Sequence, residues 1–278
     1  MHGAADVEPI PVTRGGAGRK TALADIAVLM FAMILLWQLG SWRLGHEVLP
    51  SPAATLRKLA AIMTDEDFPR HAWETGRAFA TALVIALVGG LVIGLVLGAH
   101  RLSGDVAEPI LVALYSIPKI TLYPVILLLF GLGIWAKIAF GVTHGNIPVA
   151  VFTLNAVRNI REVYFRAAKA MRLSAVQTAW SIVLPATVPE IVSGFRLGFA
   201  LTLLGTLIGE MFASQRGLGY MLVKAMETND VGTVMALALL LITLATIASS
   251  VLLAVDRKLH RRRLGASPIR HNRSCTAP

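Results

Sequence analysis

The chain has 278 residues, 55% of them hydrophobic and only 15% charged, and its mean hydropathy of +0.67 is far above that of a soluble domain. The formal net charge of +10 would suit nucleic acid, but the basic residues stand in the tails and at the ends of apolar runs, where cytoplasm-facing loops of a membrane protein carry them. A lone cysteine, Cys275, excludes an intramolecular disulfide, a thiolate metal cluster and zinc-ribbon or redox chemistry.

Residues 1–20 are polar, glycine-rich and basic (Arg14, Arg19, Lys20) and read as a disordered tail. Gly18-Arg-Lys-Thr21 echoes a phosphate-binding loop but fails the motif, which needs Gly-Lys-Ser/Thr after a strand. No nucleotide site is expected in this chain. Residues 21–42 form the first apolar run, long enough to cross about 30 Å of hydrocarbon at roughly 1.5 Å per residue, with Trp37 and Trp42 suited to the far interface. It is too long for the apolar part of a cleaved signal and no small-x-small site follows at once, so it is expected to stay as a span. Residues 44–75 hold Leu49-Pro-Ser-Pro52, an amphipathic stretch through Leu56, Leu59 and Ile62, and the acidic cluster Asp65-Glu-Asp67. This segment is expected on the outer surface.

The second span is placed at 76–99, where Gly90, Gly94 and Gly98 repeat every four residues and let another helix come close. His100 and Arg101 make a short inner turn. The third span, 105–130, is interrupted by Pro118 and Pro124, and a broken helix is tolerated where protein shields its backbone or it lines a wet path. Lys119 sits at the break and either snorkels to the interface or faces an aqueous cavity. Gly131-Leu-Gly133 turns the chain into a fourth span at 134–154, with His144 and Asn146 near its middle. Two readings of His144 stand: a neutral ring bonded to a neighbouring helix, or a pore-lining group.

Residues 155–195 are the longest basic, mixed-polarity stretch between apolar runs. Alanines and long straight side chains predict a helix from 161 to 179, with apolar residues at Phe165, Ala168, Met171, Ala175 and Ala179. Leu184-Pro185 and Pro189 should then stop it. The fifth span is placed at 191–212. Arg196 lies near its start, and Glu210, fourteen residues on, is about 21 Å away along the helix, too far to pair with it. Glu210 should sit near the outer interface. Gly217 and Gly219 turn an outer connection at 214–230, and a sixth span at 231–255 ends in a basic stop, Asp256-Arg-Lys258 and Arg261-Arg-Arg263. The expected fold is therefore all-α, a polytopic protein with six transmembrane helices. Its domain boundaries are a tail at 1–20, a transmembrane domain at 21–256 and a basic tail at 257–278. The positive-inside rule puts both tails and the central loop in the cytoplasm.

In the central loop, Ala167-Ala168, a fixed gap, then Ile182-Val183-Leu184-Pro185 resembles the EAA loop of bacterial ABC-importer permeases. That family's pattern is Glu-Ala-Ala, three residues, Gly, nine residues, then Ile-x-Leu-Pro. Arg166 replaces the glutamate and Arg172 the glycine. The resemblance continues through Ser193-Gly-Phe-Arg196, Gly209-Glu210-Met211 and Gly217-Leu-Gly219-Tyr220, covers roughly residues 49–259, and is strongest to the nitrate, taurine and aliphatic sulfonate branch. It implies a type I importer permease fold with a cytoplasmic coupling loop at about 156–190. The implied partners are a cytoplasmic ATPase subunit that binds the ATP and Mg, an outer substrate-binding protein, and a second permease copy, in the inner membrane of a bacterium. It also implies coupling roles for Arg166, Ala167, Ala168, Lys169, Arg172, Ser174, Ile182, Leu184 and Pro185.

No catalytic constellation competes with that reading. His46-Glu47 begins like a zinc-protease motif, but Pro50 stands where its second histidine would be, and there is no GxSxG elbow or CxxC pair. A secondary transporter or channel not driven by ATP is the rival class. It calls for intramembrane carboxylates, and apart from Asp25 and Glu210, and Asp105 and Glu108 in the first turn of the third run, all near span ends, the apolar runs lack acids. Lys119, His144 and Arg196 are the candidates for bordering the path, three potentially cationic groups that would favour an anion such as a sulfonate or nitrate.

Overall fold

The structure, a computed structural model, describes residues 17–264; both tails beyond these, Arg14 and Cys275 included, lie outside the described residues. Among the described residues the chain is helical, with no strand. Helix α1 (Ala17–Leu44) stands at the edge of the bundle with nearly every apolar side chain exposed. It is tied down near its end, where the Trp37 indole N–H donates to the Pro50 carbonyl at 3.0 Å. Helix α2 (Pro52–Met63) starts as its sequence dictates: Ser51 accepts from the Ala54 N–H and Pro52 fills a first-turn position that needs no N–H. Ile62 and Leu59 pack against Met221, Ala236 and Leu237, whereas Leu56 is exposed.

Helix α3 (Phe68–Ala99) begins eight residues before the expected Gly76, because nothing after Pro69 breaks the helix. Its polar first turns carry His71, Glu74 and Thr75. Helix α4 (Arg101–Ser116) and the pair formed by a 3₁₀ turn (Lys119–Leu122) and α5 (Tyr123–Phe130) meet at 85°. The expected third span is thus sharply bent at Ile117-Pro118, where the residue before proline is held extended.

Helix α6 (Ile134–Arg158) is the axis of the bundle, packed along its length against α3 and against α9 (Leu184–Ala213). Over half of its residues are buried. Small residues make this approach possible. A Cβ placed on Gly90, Gly94 or Gly98 would lie 2.6, 2.5 and 3.1 Å from the Cβ atoms of Val149, Thr153 and Val157. The four-residue glycine stripe of α3 is therefore the groove into which one ridge of α6 fits. On the other side Gly194, Gly198, Gly205 and Gly209 of α9 meet Phe152, Val149, His144 and Lys137 of α6.

The central segment differs most from its expected form. Helix α7 covers only Glu162–Ala170, and four residues separate it from α8 (Ala175–Thr178). A π turn (Ala179–Val183) then joins α8 to α9, so the prolines do not stop a helix. Pro185 stands in the first turn of α9, and the residue four before it, whose carbonyl its ring would strike in a regular helix, is Ser181 within the widened turn. Pro189 is also carried inside α9. Helices α10 (Leu218–Glu227) and α11 (Val231–Leu264) complete the chain; α11 is capped by Asp230, which accepts from the Thr233 N–H and hydroxyl. Those hydrogen bonds, with Lys58 at 3.1 Å, hold the Asp230 carboxyl below its ordinary pKa.

Among the described residues four helical stretches are long and apolar enough to cross a membrane: Ala24–Leu44, Phe68–Ala99, Trp180–Phe212 and Val231–Ala254. The bent α4–α5 unit makes a fifth if counted as one. Helix α6 is not in this set, and polar residues such as His144, Asn146 and Thr153, which lower its hydropathy, pack against α3 and α9. Substituting Gly94 by Val should overpack the α3–α6 contact and cost about 1–3 kcal/mol, read as a lower melting temperature of the detergent-solubilised protein. Gly76→Ala, where nothing lies within 4 Å of the new methyl, should leave it unchanged or raise it slightly.

Candidate functional site

The bundle has two polar ends, and each is built by a different device. At the end beyond α6, α7 hangs below the bundle on one face. Ala168 is 3% exposed and lies with Phe165, Lys169 and Leu173 along a cavity of about 1190 Å3 that also borders α3, α4 and α6. On the opposite face Val163, Arg166, Ala167 and Ala170 are exposed, while Tyr164 and Met171 are exposed on the side of Ala168. The two alanines of the motif therefore stand in different surroundings: Ala168 is buried and Ala167 is exposed.

The break after α7 is a complete local hydrogen-bonded unit. The Leu173 N–H donates to the Ala168 carbonyl and the Arg172 N–H to the Lys169 carbonyl, both at 3.0 Å, with Arg172 at φ 52°. This is a Schellman turn whose left-handed residue is ordinarily glycine. The same unit ends α10, where Asn229 at φ 55° takes the left-handed place and the Asp230 N–H reaches the Ala225 carbonyl at 2.9 Å. Asparagine tolerates that conformation; arginine pays the steric cost of its Cβ, about 1 kcal/mol. The glycine that the sequence pattern lacks at position 172 is thus a conformational requirement that the chain meets under strain. Next, Ser174 and Gln177 form a reciprocal cap: the Gln177 N–H donates to Ser174 Oγ at 3.2 Å and the Ser174 N–H to Gln177 Oε1 at 2.9 Å.

The remaining loop candidates fall around this unit. Arg166 is exposed and pairs with Glu162 one turn earlier at 3.1 Å. Ile182 and Pro185 line a second cavity beside Tyr164 and Arg161, and Leu184 is half-buried at the start of α9. Arg158, at the foot of α6, binds both Asp105 and Glu108 and so fixes α4 against the loop.

At the opposite end lies a cluster that sequence reasoning missed. Lys137 on α6 is 2% exposed and Glu210 on α9 is fully buried. Lys137 Nζ is 3.7 Å from Glu210, 3.8 Å from Glu74 of α3, and donates to the Arg216 carbonyl at 2.8 Å. Glu210 also accepts from the Thr75 hydroxyl at 2.8 Å and from the Gly219 N–H at 3.0 Å, while Thr75 accepts from the Leu218 N–H at 2.8 Å and His71 from the Gly217 N–H at 3.0 Å. Glu210, two residues from the end of its apolar stretch, is enclosed by protein. Gly217, at φ 125°, is needed there twice: only glycine favours that backbone, and a Cβ would lie 2.3 Å from the Glu210 carboxyl carbon. The available signal was one acid and one base at the same end of two apolar runs, 73 residues apart in sequence.

No hydrogen bond joins any two of the three path candidates. Lys119 Nζ donates to the Tyr115 carbonyl at 3.1 Å and lies 4.8 Å over the Tyr115 ring, capping the end of α4. His144 is buried, and its Nδ1 lies 2.8 Å from the Phe140 carbonyl of its own helix rather than a neighbour's, with the ring against Gly205. Arg196 makes no hydrogen bond or ion pair with any described residue. It lines a groove between α6, α9 and α11.

An all-helical bundle with an exposed short helix between its spans defines a polytopic membrane component, and the comparisons name its class. The chain belongs to the family described as binding-protein-dependent transport system inner membrane component, which matches residues 86–261. It is 27% identical over 241 residues to the taurine transport system permease protein TauC of Escherichia coli, covering 84% of this chain and 88% of that one. It is 28% identical over 246 residues to a probable ABC transporter permease protein of Haemophilus influenzae (87% and 98%), and 24% identical over 234 residues to the putative aliphatic sulfonates permease protein SsuC of Bacillus subtilis (84% and 85%). In fold it is similar to a chain of the inward-facing MetNI methionine ABC transporter, with a TM-score of 0.54 at 21% identity over 68% of this chain and 94% of that one. The protein is thus a permease component of a binding-protein-dependent ABC importer, a transport subunit rather than an enzyme.

Lys137→Met should cost about 3–5 kcal/mol by leaving Glu210 buried and unpaired. Adding Glu210→Gln should recover at least half of the loss in melting temperature, since the amide keeps an acceptor for Gly219 and Thr75 without the charge. Arg172→Gly should raise stability by about 1 kcal/mol, visible as slower proteolysis of the segment between α7 and α8.

Proposed function

We propose that the chain forms half of the translocation path of an ATP-driven importer for a small anion, and that α7 is its coupling helix. The observation that carries this is the split face of α7. One side carries the buried Ala168, and the other offers Val163, Arg166, Ala167 and Ala170 to a partner beyond the membrane. Arg166 on that face, flanked by Lys169 and Arg172, suits acidic groups on an ATPase subunit, which holds the ATP and Mg. Ser174 and the unit Ile182-Val183-Leu184-Pro185 act indirectly, by fixing the angle at which the chain re-enters the bundle. Both tails and α7 lie on the cytoplasmic side, as the distribution of Arg and Lys supports. A second copy completes the path, and an outer binding protein delivers the solute at the end closed by Lys137 and Glu210. Relatives named for taurine and aliphatic sulfonates support an anion, with nitrate in the same chemical range; relatives named for formylaminopyrimidine and riboflavin mark the breadth of the family.

The test is co-purification from membranes with the cognate ATPase subunit. Ala167→Glu should abolish retention of the ATPase while leaving melting temperature unchanged, because this alanine is exposed. Ala168→Glu should instead destabilise the permease itself. Retention of the ATPase by a well-folded Ala167→Glu variant would overturn the assignment of α7.

A further inference from the structure

Of the three path candidates, Arg196 alone makes no hydrogen bond or ion pair with a described residue, and it is exposed on the chain's own surface. Arginine inside a membrane segment is costly, always charged, and ordinarily found against a counter-charge or a wet cavity. Here it sits about halfway along Trp180–Phe212 and opens on a groove of about 550 Å3, within the size range of small-ligand sites. The groove wall facing it is made by α11 and carries the hydroxyls of Thr246, Ser249 and Ser250, with Ser193 on its own helix. Thr246 and Ser193 donate to the backbone carbonyls of Ile242 and Pro189, so their oxygens remain as acceptors. Ser249 and Ser250 make no hydrogen bond with any described residue and are free to donate. Among the described side chains no carboxylate lines the groove.

A forked guanidinium and two free hydroxyl donors lining one groove make a donor set that suits a tetrahedral oxyanion. We propose that Arg196, Ser249 and Ser250 form an oxyanion-binding station on the open groove between α9 and α11, taking the sulfonate or phosphate-type group of a small solute. This rests on the importer reading and sharpens it: the anion preference resides in one arginine and two serines of this chain, and not in Lys119 or His144. Phe152 and Leu197 close the groove with apolar surface, which leaves space for a short carbon tail beside the charged head.

The experiment uses the full-length permease, assembled with its ATPase subunit in nanodiscs of phosphatidylcholine alone, and radiolabelled methanesulfonate as the probe. Saturable binding is expected, weakened about 10- to 100-fold by Arg196→Gln and several-fold by Ser249→Ala with Ser250→Ala. Lys119→Gln should leave it unchanged. A second arm examines, by native mass spectrometry, nanodiscs containing phosphatidylglycerol. Retention of that lipid by wild type and its loss in Arg196→Gln, without methanesulfonate binding, would keep the oxyanion site and make its source a headgroup. Equal behaviour of wild type and Arg196→Gln in both arms, with both variants folded, overturns the proposal. Its failure is separable from that of the importer reading, because ATPase retention is scored on the same preparation. Retention without an Arg196 effect sinks the station alone, and loss of retention in wild type sinks the coupling assignment.

Discussion

The close approach of α6 to α3 and α9 is the constraint on which the rest of the structure depends. Lipid gives helices no hydrophobic reason to associate, so the bundle must be held by backbone proximity and by polar groups that have nowhere else to go. Glycines at 90, 94 and 98 on one side and at 194, 198, 205 and 209 on the other bring two helices to within contact of the α6 backbone. Once that axis is fixed, both ends of the molecule follow from it. Its first turn carries Lys137 into the buried cluster, and its last turn carries Arg158 to α4 and leads directly into α7.

The two ends differ in how they are held, and the difference has a physical sense. The Lys137 cluster joins α3, α6, α9 and the chain before α10 by buried charge and hydrogen bonds, each of which would be expensive to leave unmade. It clamps that end as one piece. The α7 end is held by local devices instead: a Schellman turn, a reciprocal Ser174–Gln177 cap and one buried alanine. Local devices keep the shape of a segment without binding it broadly to the core, which suits the coupling role proposed for α7.

The sequence made the spans and the glycine stripe legible because both are short-period patterns, a run of apolar residues and a small residue every fourth place. The EAA-like register located the central loop despite Arg166 and Arg172. The end of α7 was not legible from propensity, since alanine, methionine and arginine all favour helix and nothing in Met171-Arg172-Leu173 signals a left-handed residue. Ser174-Ala-Val-Gln177 does carry a capping signature, and read as a helix start it would have divided the predicted helix at the correct place. The prolines misled because a π turn can absorb the clash that a regular helix cannot. Lys137 was silent because one lysine near the start of an apolar run resembles an interface anchor, and its partner lies on another helix.

Arg196 shows what the structure adds to composition. In sequence it is one of three cations of equal standing, each near a span break or interior. Packing gives Lys119 the carbonyl and ring of Tyr115, and His144 the carbonyl of Phe140. Nothing comparable is supplied to Arg196, although Ser249 and Ser250 stand across the groove with their own hydroxyls unspent. Lys137 and Glu210 are buried and answer each other, whereas Arg196 is exposed on an open groove in the middle of an apolar stretch. A fixed charge so placed is the reason to look for its acceptor outside the described chain.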